Sequence, residues 1–219
     1  MMEAYVVISE QVSNMYNEIF LTSLKKVEPE MKVNEINIKF DGTGGIFTKG
    51  WYDAGWEKIK TIEKLSRNFN NDIIAFFDAD IIFLKPFSIK VHELIENKDI
   101  LMQQDYEFEK KANIGVIFFR CNKKINDYFN FLLKKRTEAN SWEEKIIRET
   151  IEESNLSFEL LPRTFSNGTN KGLTKDSYLY HANGIGNNFL GTSVERKYKK
   201  LIKMYKKHYV KSGIFGFNR

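Results

Sequence analysis

Two carboxylates one residue apart, Asp78 and Asp80, interrupt the most apolar stretch of this 219-residue chain. Ile73-Ile74-Ala75-Phe76-Phe77 runs before them and Ile81-Ile82-Phe83-Leu84 after them. In extended backbone, residues i and i+2 share a face, so both side chains can converge on one cation. Two neighbouring buried carboxylates repel each other and are costly unpaired, which makes a hard divalent cation their natural partner. Asp also caps turns, but apolar residues on both sides argue against a solvated turn. The end of a buried strand is where open α/β sheets bind ligands.

Several other polar residues stand at the ends of apolar runs. Asn113-Ile114-Gly115 opens the run Val116-Ile117-Phe118-Phe119, where Asn113 could be an ordinary strand-start residue and Gly115 a bulge. His181 follows Tyr180 in Tyr180-His181-Ala182-Asn183-Gly184. Nothing marks the other two histidines, His92 in a helical pattern and His208 among lysines. Asp105 ends Gln103-Gln104-Asp105, and Glu143-Glu144 opens a helical pattern, where acidic residues favour the helix dipole. Lys58 and Lys60 lie in the helical stretch before the aspartate pair, and either can be a solvated lysine.

The order of these landmarks resembles the GT-A fold nucleotide-diphospho-sugar transferases of glycosyltransferase families 8 and 77. The likeness runs from Tyr5 to about Gly191. It implies a single Rossmann-like α/β domain of the GT-A type, with a mixed, mostly parallel central sheet flanked by helices. It implies that Asp80 and His181 hold the metal directly, with Asp78 sharing it or binding the ribose, and a neutral imidazole inclines the site toward Mn²⁺, with Mg²⁺ as the alternative. Donor contacts fall to Ser9, Lys60 (Lys58 competing), Asp78, Ala79 and Gly115, and Asp105, Asn113 and Glu144 surround the sugar.

Two departures stand out. Many relatives carry aspartate-glutamine where this chain has Glu143-Glu144; a glutamate can act as base, nucleophile or electrostatic support, whereas glutamine only hydrogen-bonds. The resemblance implies retention of anomeric configuration, yet Glu144 could also serve an inverting enzyme. Family 8 often has a lysine shortly after the histidine motif, and here Gly186-Asn187-Asn188 occupies that stretch, which leaves the diphosphate to backbone amides or later lysines.

The elements that must position these residues alternate between strand and helix patterns, as in α/β domains. Tyr5 to Ile8 reads as a first strand, followed by a helix around Asn14 to Val27 and a strand from Glu35 to Phe40. A glycine-rich loop, Gly42 to Gly50, leads into a helix whose Trp56, Ile59, Ile62, Leu65 and Phe69 recur at helical spacing. Asp72 to Phe77 is apolar throughout, as in a strand covered on both faces. Then come a helix at Ser88 to Asn97, strands at Ile100 to Met102 and Ile114 to Phe119, and a helix carrying Ile125 to Leu133. Trp142 to Ser154 reads as helix, Phe158 to Leu161 and Tyr178 to Tyr180 as strands, Phe165 to Lys175 as a mobile loop, and Val194 to Val210 as a final helix.

The composition, 42% hydrophobic and 29% charged, is that of a globular protein. Cys121 is the only cysteine, so no disulfide forms within the chain and no metal site is built on cysteine. No apolar run approaches the ~18 residues of a membrane span and no signal peptide is visible, which leads us to expect a soluble, cytoplasmic protein. The net charge of +5 is uneven: nine Lys and Arg against Glu195 between Val194 and Arg219 make that segment +8, and the rest carries −3. We therefore expect a catalytic domain over residues 1–193 and a basic amphipathic tail over 194–219, docked by its apolar stripe or touching a membrane surface or anionic acceptor. The expected partners are a nucleotide-diphosphate sugar, a UDP-sugar first, and a hydroxyl acceptor; no nucleic-acid module accompanies the charge.

Two other enzyme classes and a non-catalytic reading compete. Haloacid-dehalogenase-type phosphatases also use two aspartates after an apolar strand, but near the N-terminus and with a different continuation. Sugar nucleotidylyltransferases need a glycine-rich basic loop after the first strand, which Ile8-Ser9-Glu10-Gln11-Val12 does not supply. A domain that binds a nucleotide sugar without turning it over would leave the donor intact.

Overall fold

A computed structural model describes residues 2–39, 49–105, 111–138, 142–167, 174–183 and 193–210. Nine strands among them form two sheets. The first contains β1 (Glu3–Ile8), β2 (Val33–Asn37), β3 (Ile73–Phe77), β5 (Ile100–Asp105), β6 (Lys111–Arg120) and β7 (Phe158–Leu160), in the order β2-β1-β3-β6-β5-β7. Only β6 runs against its neighbours, so the sheet is mixed and mostly parallel, as expected. The second sheet contains β4 (Ile81–Phe83), β8 (Phe165–Asn167) and β9 (Leu179–His181), in the order β4-β9-β8.

The period of two along each central strand divides the core. Ala75 and Phe77 of β3, with Val116 and Phe118 of β6, face one apolar layer; Ile74, Phe76, Ile117 and Phe119 face the other. Helices α2 (Lys49–Ser66), α4 (Lys123–Glu138) and α5 (Glu143–Thr150) cover the second layer through Trp56, Ile59, Ile62, Phe129, Leu132, Ile146 and Ile147. The first layer is covered by α1, a continuous helix made of Ser13–Met15, a π-helical stretch Tyr16–Leu21 and Thr22–Val27, by α3 (Ser88–Leu94), and by the small sheet. The final helix, α6 (Ser193–Tyr205), continues as π-helix over Lys206–Val210, and Leu201 and Tyr209 pack with Met15, Ile19, Ile82 and Tyr180. No helix of the described residues is long and apolar enough to cross a membrane.

Beneath the aspartate pair lies a set of buried phenyl rings. Phe77 meets Phe20, Phe83, Phe87 and Phe118 edge-on, at centroid distances of 6.0, 5.1, 5.9 and 5.7 Å. Offset and edge-to-face rings gain about 0.5–1.5 kcal/mol per pair beyond their burial. Phe77 and Phe83 flank the Asp78-to-Ile82 segment, so this floor fixes the chain on both sides of the carboxylates.

Several elements differ from the sequence expectations. The second strand is Val33–Asn37, because pairing with β1 rather than the Ile36/Ile38 alternation sets its limits; Phe40, and 42–48 of the glycine-rich loop, lie outside the described residues. Phe69 does not extend the stripe of α2: the helix ends at Ser66, and Phe69 sits in the following turn at φ 49°, 53% exposed. The segment assigned to a mobile loop begins with a strand. Phe165–Asn167 pairs in parallel with β9, and Phe165 is fully buried, its ring 6.0 Å from Phe118 and 5.1 Å from Tyr178. Three residues are too few to show a period, which hid this strand and β4 alike.

Removing the Phe165 ring tests that placement. Phe165→Ala is expected to cost about 3–5 kcal/mol in urea unfolding, the range for emptying a fully buried phenyl site. A loss under about 1 kcal/mol, typical of surface positions, would return the segment to a surface loop.

Candidate active site

Strand β3 ends at Phe77, and the next residue, Asp78, donates its backbone N–H to the Gly115 carbonyl of β6 at 2.8 Å. This bond ties the aspartate pair to the antiparallel strand at the C-terminal edge of β1 and β3, the edge where such sheets bind ligands. Two residues on, Asp80 enters β4, and its carbonyl accepts from Ala182 N at 2.9 Å. Pairing of Ile81 with His181 in the small sheet then brings the histidine beside both carboxylates. His181 Nε2 lies 3.2 Å from Asp80 Oδ1 and 3.5 Å from Asp78 Oδ2. One ligand atom from each of Asp78, Asp80 and His181 falls within 4.8 Å of the others.

The imidazole is held from behind. Gln103 is fully buried; its Nε2 donates to the Phe165 carbonyl at 2.9 Å, so its Oε1 must be the atom facing His181 Nδ1 at 2.7 Å. A carbonyl oxygen accepts only, so Nδ1 donates to Gln103, and Nε2 is the ring nitrogen that faces the aspartates. That is how metal-binding histidines are commonly oriented. Two carboxylates and an imidazole nitrogen form a donor set suited to a divalent cation that tolerates both oxygen and nitrogen. The residues present therefore fit a metal.

Two lysines reach the same carboxylates. Lys58 of α2, buried, donates to Asp78 Oδ1 at 2.5 Å and to the Ile114 carbonyl at 2.7 Å. Lys197 of α6 donates to Asp80 Oδ2 at 2.6 Å. Burial opposes the charge of Asp80, but Lys197 and then His181 outweigh it and hold this carboxyl well below the usual carboxylate range. Burial likewise works against the Lys197 ammonium, and Asp80 more than offsets it. The Asp78 side chain is 37% exposed against 8% for Asp80, so Asp78 is the carboxylate that opens outward.

A second cluster adjoins. Asn113 Nδ2 donates to Glu144 Oε2 at 3.1 Å, while its Oδ1 accepts from Gly115 N at 2.9 Å. Arg148, one turn after Glu144, pairs with that carboxylate, with Asp105 Oδ2 at 2.8 Å and with the Ala112 carbonyl at 2.7 Å. Burial raises the Glu144 pKa against the pull of Arg148. Glu143 turns the other way, toward Gly55 of α2: a Cβ built on Gly55 would lie 2.0 Å from Glu143 Oε1. Glu143 Oε2 is the buried side-chain atom with no hydrogen-bond partner among the described residues. Burial pushes its pKa up to about 7.

The structure thus brings together Asp78, Asp80, His181 and Gly115, and beside them Asp105, Asn113 and Glu144. Ser9 and Ala79 are buried; Ser9 follows the end of β1, and β1 is hydrogen-bonded to β3. Lys60 is not brought to the site. It is exposed and pairs with Glu57 at 3.0 Å, and Lys58 takes the place expected of it, because two residues along a helix turn the side chain to the opposite side. Gly184 and the Gly186-Asn187-Asn188 stretch lie outside the described residues. Gln103, Glu143, Arg148 and Lys197 were not singled out from sequence. Arg148 was visible as the i+4 partner of Glu144; no local signal marks Lys197, 117 residues from Asp80.

Fold and site define a glycosyltransferase of the GT-A type. The family model of the nucleotide-diphospho-sugar transferases matches residues 18–200, and the chain belongs to that family. Solved structures agree on the fold. A glycosyltransferase involved in glycosylation of the major capsid of PBCV-1 matches with a TM-score of 0.62 at 12% identity, over 92% of this chain and 98% of that one. The galactosyltransferase LgtC, solved with donor and acceptor sugar analogues, gives a TM-score of 0.55 at 10% identity over 93% and 96%. GlyE of Streptococcus pneumoniae gives 0.57 at 11% over 94% of this chain, which spans 63% of that protein. A search of curated proteins finds no match. The family match does not favour the phosphatase alternative.

Glu143 yields a pH prediction. Its folded pKa of about 7 stands above the ordinary 4.5, so the unfolded chain ionises first as pH rises. Stability from the protonated carboxyl is therefore complete below about pH 4.5 and lost as pH climbs through about 7. A neutral glutamine escapes that loss. Glu143→Gln should gain on the wild type by up to about 3 kcal/mol at pH 8 and by little at pH 4.5, read by urea unfolding at both values. An equal difference at the two pH values would mean that the carboxyl ionises normally.

Proposed function

We propose that the enzyme transfers a sugar from a nucleotide-diphosphate donor, a UDP-sugar, to a hydroxyl acceptor, with retention and with a divalent cation held by Asp78, Asp80 and His181. The observation that carries this reading is the convergence of the three groups, with Gln103 leaving His181 Nε2 free to ligate. Mn²⁺ suits the nitrogen donor better than Mg²⁺. When bound, the cation supplies Lewis-acid stabilisation of the departing diphosphate.

The chain's own residues do the rest. The leaving group is a phosphate anion and needs positive charge more than a proton, and Lys197 carries an ammonium at the edge of the site. It supplies the cation missing from Gly186-Asn187-Asn188. Lys58, beside Asp78, points its charge at the same region. Asn113 and Asp105 offer acceptors and donors for sugar hydroxyls, and Ser9 and Ala79 line the nucleoside side. Glu144 already holds Arg148 and Asn113, which makes it a fixed negative charge beside the sugar rather than the free base an inverting attack requires. That charge supports positive charge developing on the ring.

The lysines of α6 that face outward are suited to an anionic acceptor or to a peripheral contact with anionic lipid. Cys121 is buried and unpaired, and burial pushes its pKa up to about 11, so it is an unreactive thiol compatible with a cytoplasmic setting.

Calorimetric titration with UDP and Mn²⁺ tests the metal assignment. Asp80→Asn is expected to weaken metal-dependent UDP binding at least tenfold, about 1.4 kcal/mol, in a folded protein. Unchanged affinity would overturn the assignment. Glu144→Gln separates charge from shape, since glutamine is nearly isosteric. Its kcat for donor turnover should fall at least tenfold, about 1.4 kcal/mol of transition-state stabilisation, with donor Kd moving less than about twofold. Wild-type turnover would show that Glu144 only braces Asn113.

A further inference from the structure

On α2, Trp51, Gly55 and Lys58 recur at i, i+4 and i+7 and therefore share one face of the helix. Each meets something different. Lys58 meets Asp78, and Gly55 receives the Glu143 carboxyl. Trp51 meets Trp142, the residue just before α5, with ring centroids 6.3 Å apart and planes 66° apart. Tyr52 stands edge-on to Trp51 at 5.1 Å and 74°. The face thus leads from the aspartate pair, past Glu143 and Glu144, to three aromatic rings about 10 Å along the helix, at 1.5 Å per residue.

We propose that Trp51, Tyr52 and Trp142 form a subsite that stacks on a pyranose ring of the acceptor. This rests on the sugar-transfer reading of the adjoining site. All three residues are only half-buried, whereas Trp56 on the same helix is 3% exposed in the core. Trp and Tyr combine an apolar ring face with a polar tip and are favoured where one side of a ligand is apolar and its rim is polar. A pyranose has that character, with a C–H face and a hydroxyl rim. The T-shaped pair offers two ring faces at an angle, which suits a ring approached from one side and hydroxyls reached from the other. The cations Lys58 and Lys197 lie at the aspartates, where phosphates belong, and the aromatic rings lie about 10 Å away along α2.

Saturation-transfer NMR on the full chain with UDP and Mn²⁺, probed with methyl β-D-glucopyranoside and methyl β-D-galactopyranoside, tests the subsite. Ring C–H protons of at least one glycoside should receive saturation from the wild type. The signal should fall at least fivefold in Trp51→Leu and Trp142→Leu and persist in Trp51→Phe, which keeps a flat face. Circular dichroism confirms that each variant is folded, and Trp51→Phe keeps the test decisive if a leucine variant is not. No transfer to either glycoside, or an unchanged signal in folded leucine variants, would overturn the proposal. So would a tenfold loss of UDP affinity in those variants with the sugar signal intact, since the rings would then be a nucleobase shelf. Failure of the sugar-transfer reading is distinguishable: it appears as UDP binding indifferent to Asp80→Asn, whatever the glycosides do.

Discussion

The close approach of two sheets at Gly115 is the constraint on which the rest of the site depends. A Cβ built there would lie 2.1 Å from His181 Cε1 and 2.9 Å from Asp78 Oδ2. Any side chain would push the small sheet away from the large one, and the imidazole could no longer meet the carboxylates. The backbone of this glycine is fully used as well. Its carbonyl accepts from Asp78 N, and its N–H donates to Asn113 Oδ1. That second bond turns the Asn113 amide so that its NH₂ faces Glu144, and Glu144 in turn orients Arg148 toward Asp105. One missing side chain therefore sets the geometry of both halves of the site.

Electrostatics explains why so many charges tolerate this density. Five carboxylates, those of Asp78, Asp80, Asp105, Glu143 and Glu144, gather in one region, and unpaired burial of a charge is heavily unfavourable. Four of them have a cation: Lys58 for Asp78, Lys197 for Asp80, and Arg148 shared by Asp105 and Glu144. Glu143 is left over, and burial pushes its pKa up to about 7. The lysines hold Asp78 Oδ1 and Asp80 Oδ2, which leaves Asp78 Oδ2 and Asp80 Oδ1 facing His181 Nε2.

Much of the sheet could be read from the chain because β3 and β6 are buried on both faces, and an unbroken apolar run permits few other readings. The aspartate pair stood out for the same reason, as charge where only apolar residues were expected. Lys58 could have been preferred to Lys60 from helical phase alone: it is three residues from Gly55 and four from Ile62, both on the buried side. Strands of three residues, such as β4 and β8, carry no period and are defined by their partners. Gln103 and Lys197 act on groups 78 and 117 residues away, and no local pattern encodes such a contact.

The basic helix α6 shows how the two kinds of information meet. Its apolar stripe was legible, and in the structure Leu201 and Tyr209 are buried against α1 and the small sheet, with Lys26 over the Tyr205 and Tyr209 rings at 4.8 and 4.6 Å. Docking by that stripe fixes the rotation of the helix, and rotation decides which of its many lysines points inward. Lys197 lies four residues before Leu201, one turn along the same side, so the contact that buries Leu201 also delivers Lys197 to Asp80. The other lysines remain outside as a consequence of the same phase. A hydrophobic contact more than a hundred residues from the aspartate pair thus determines the charge at its most buried carboxylate.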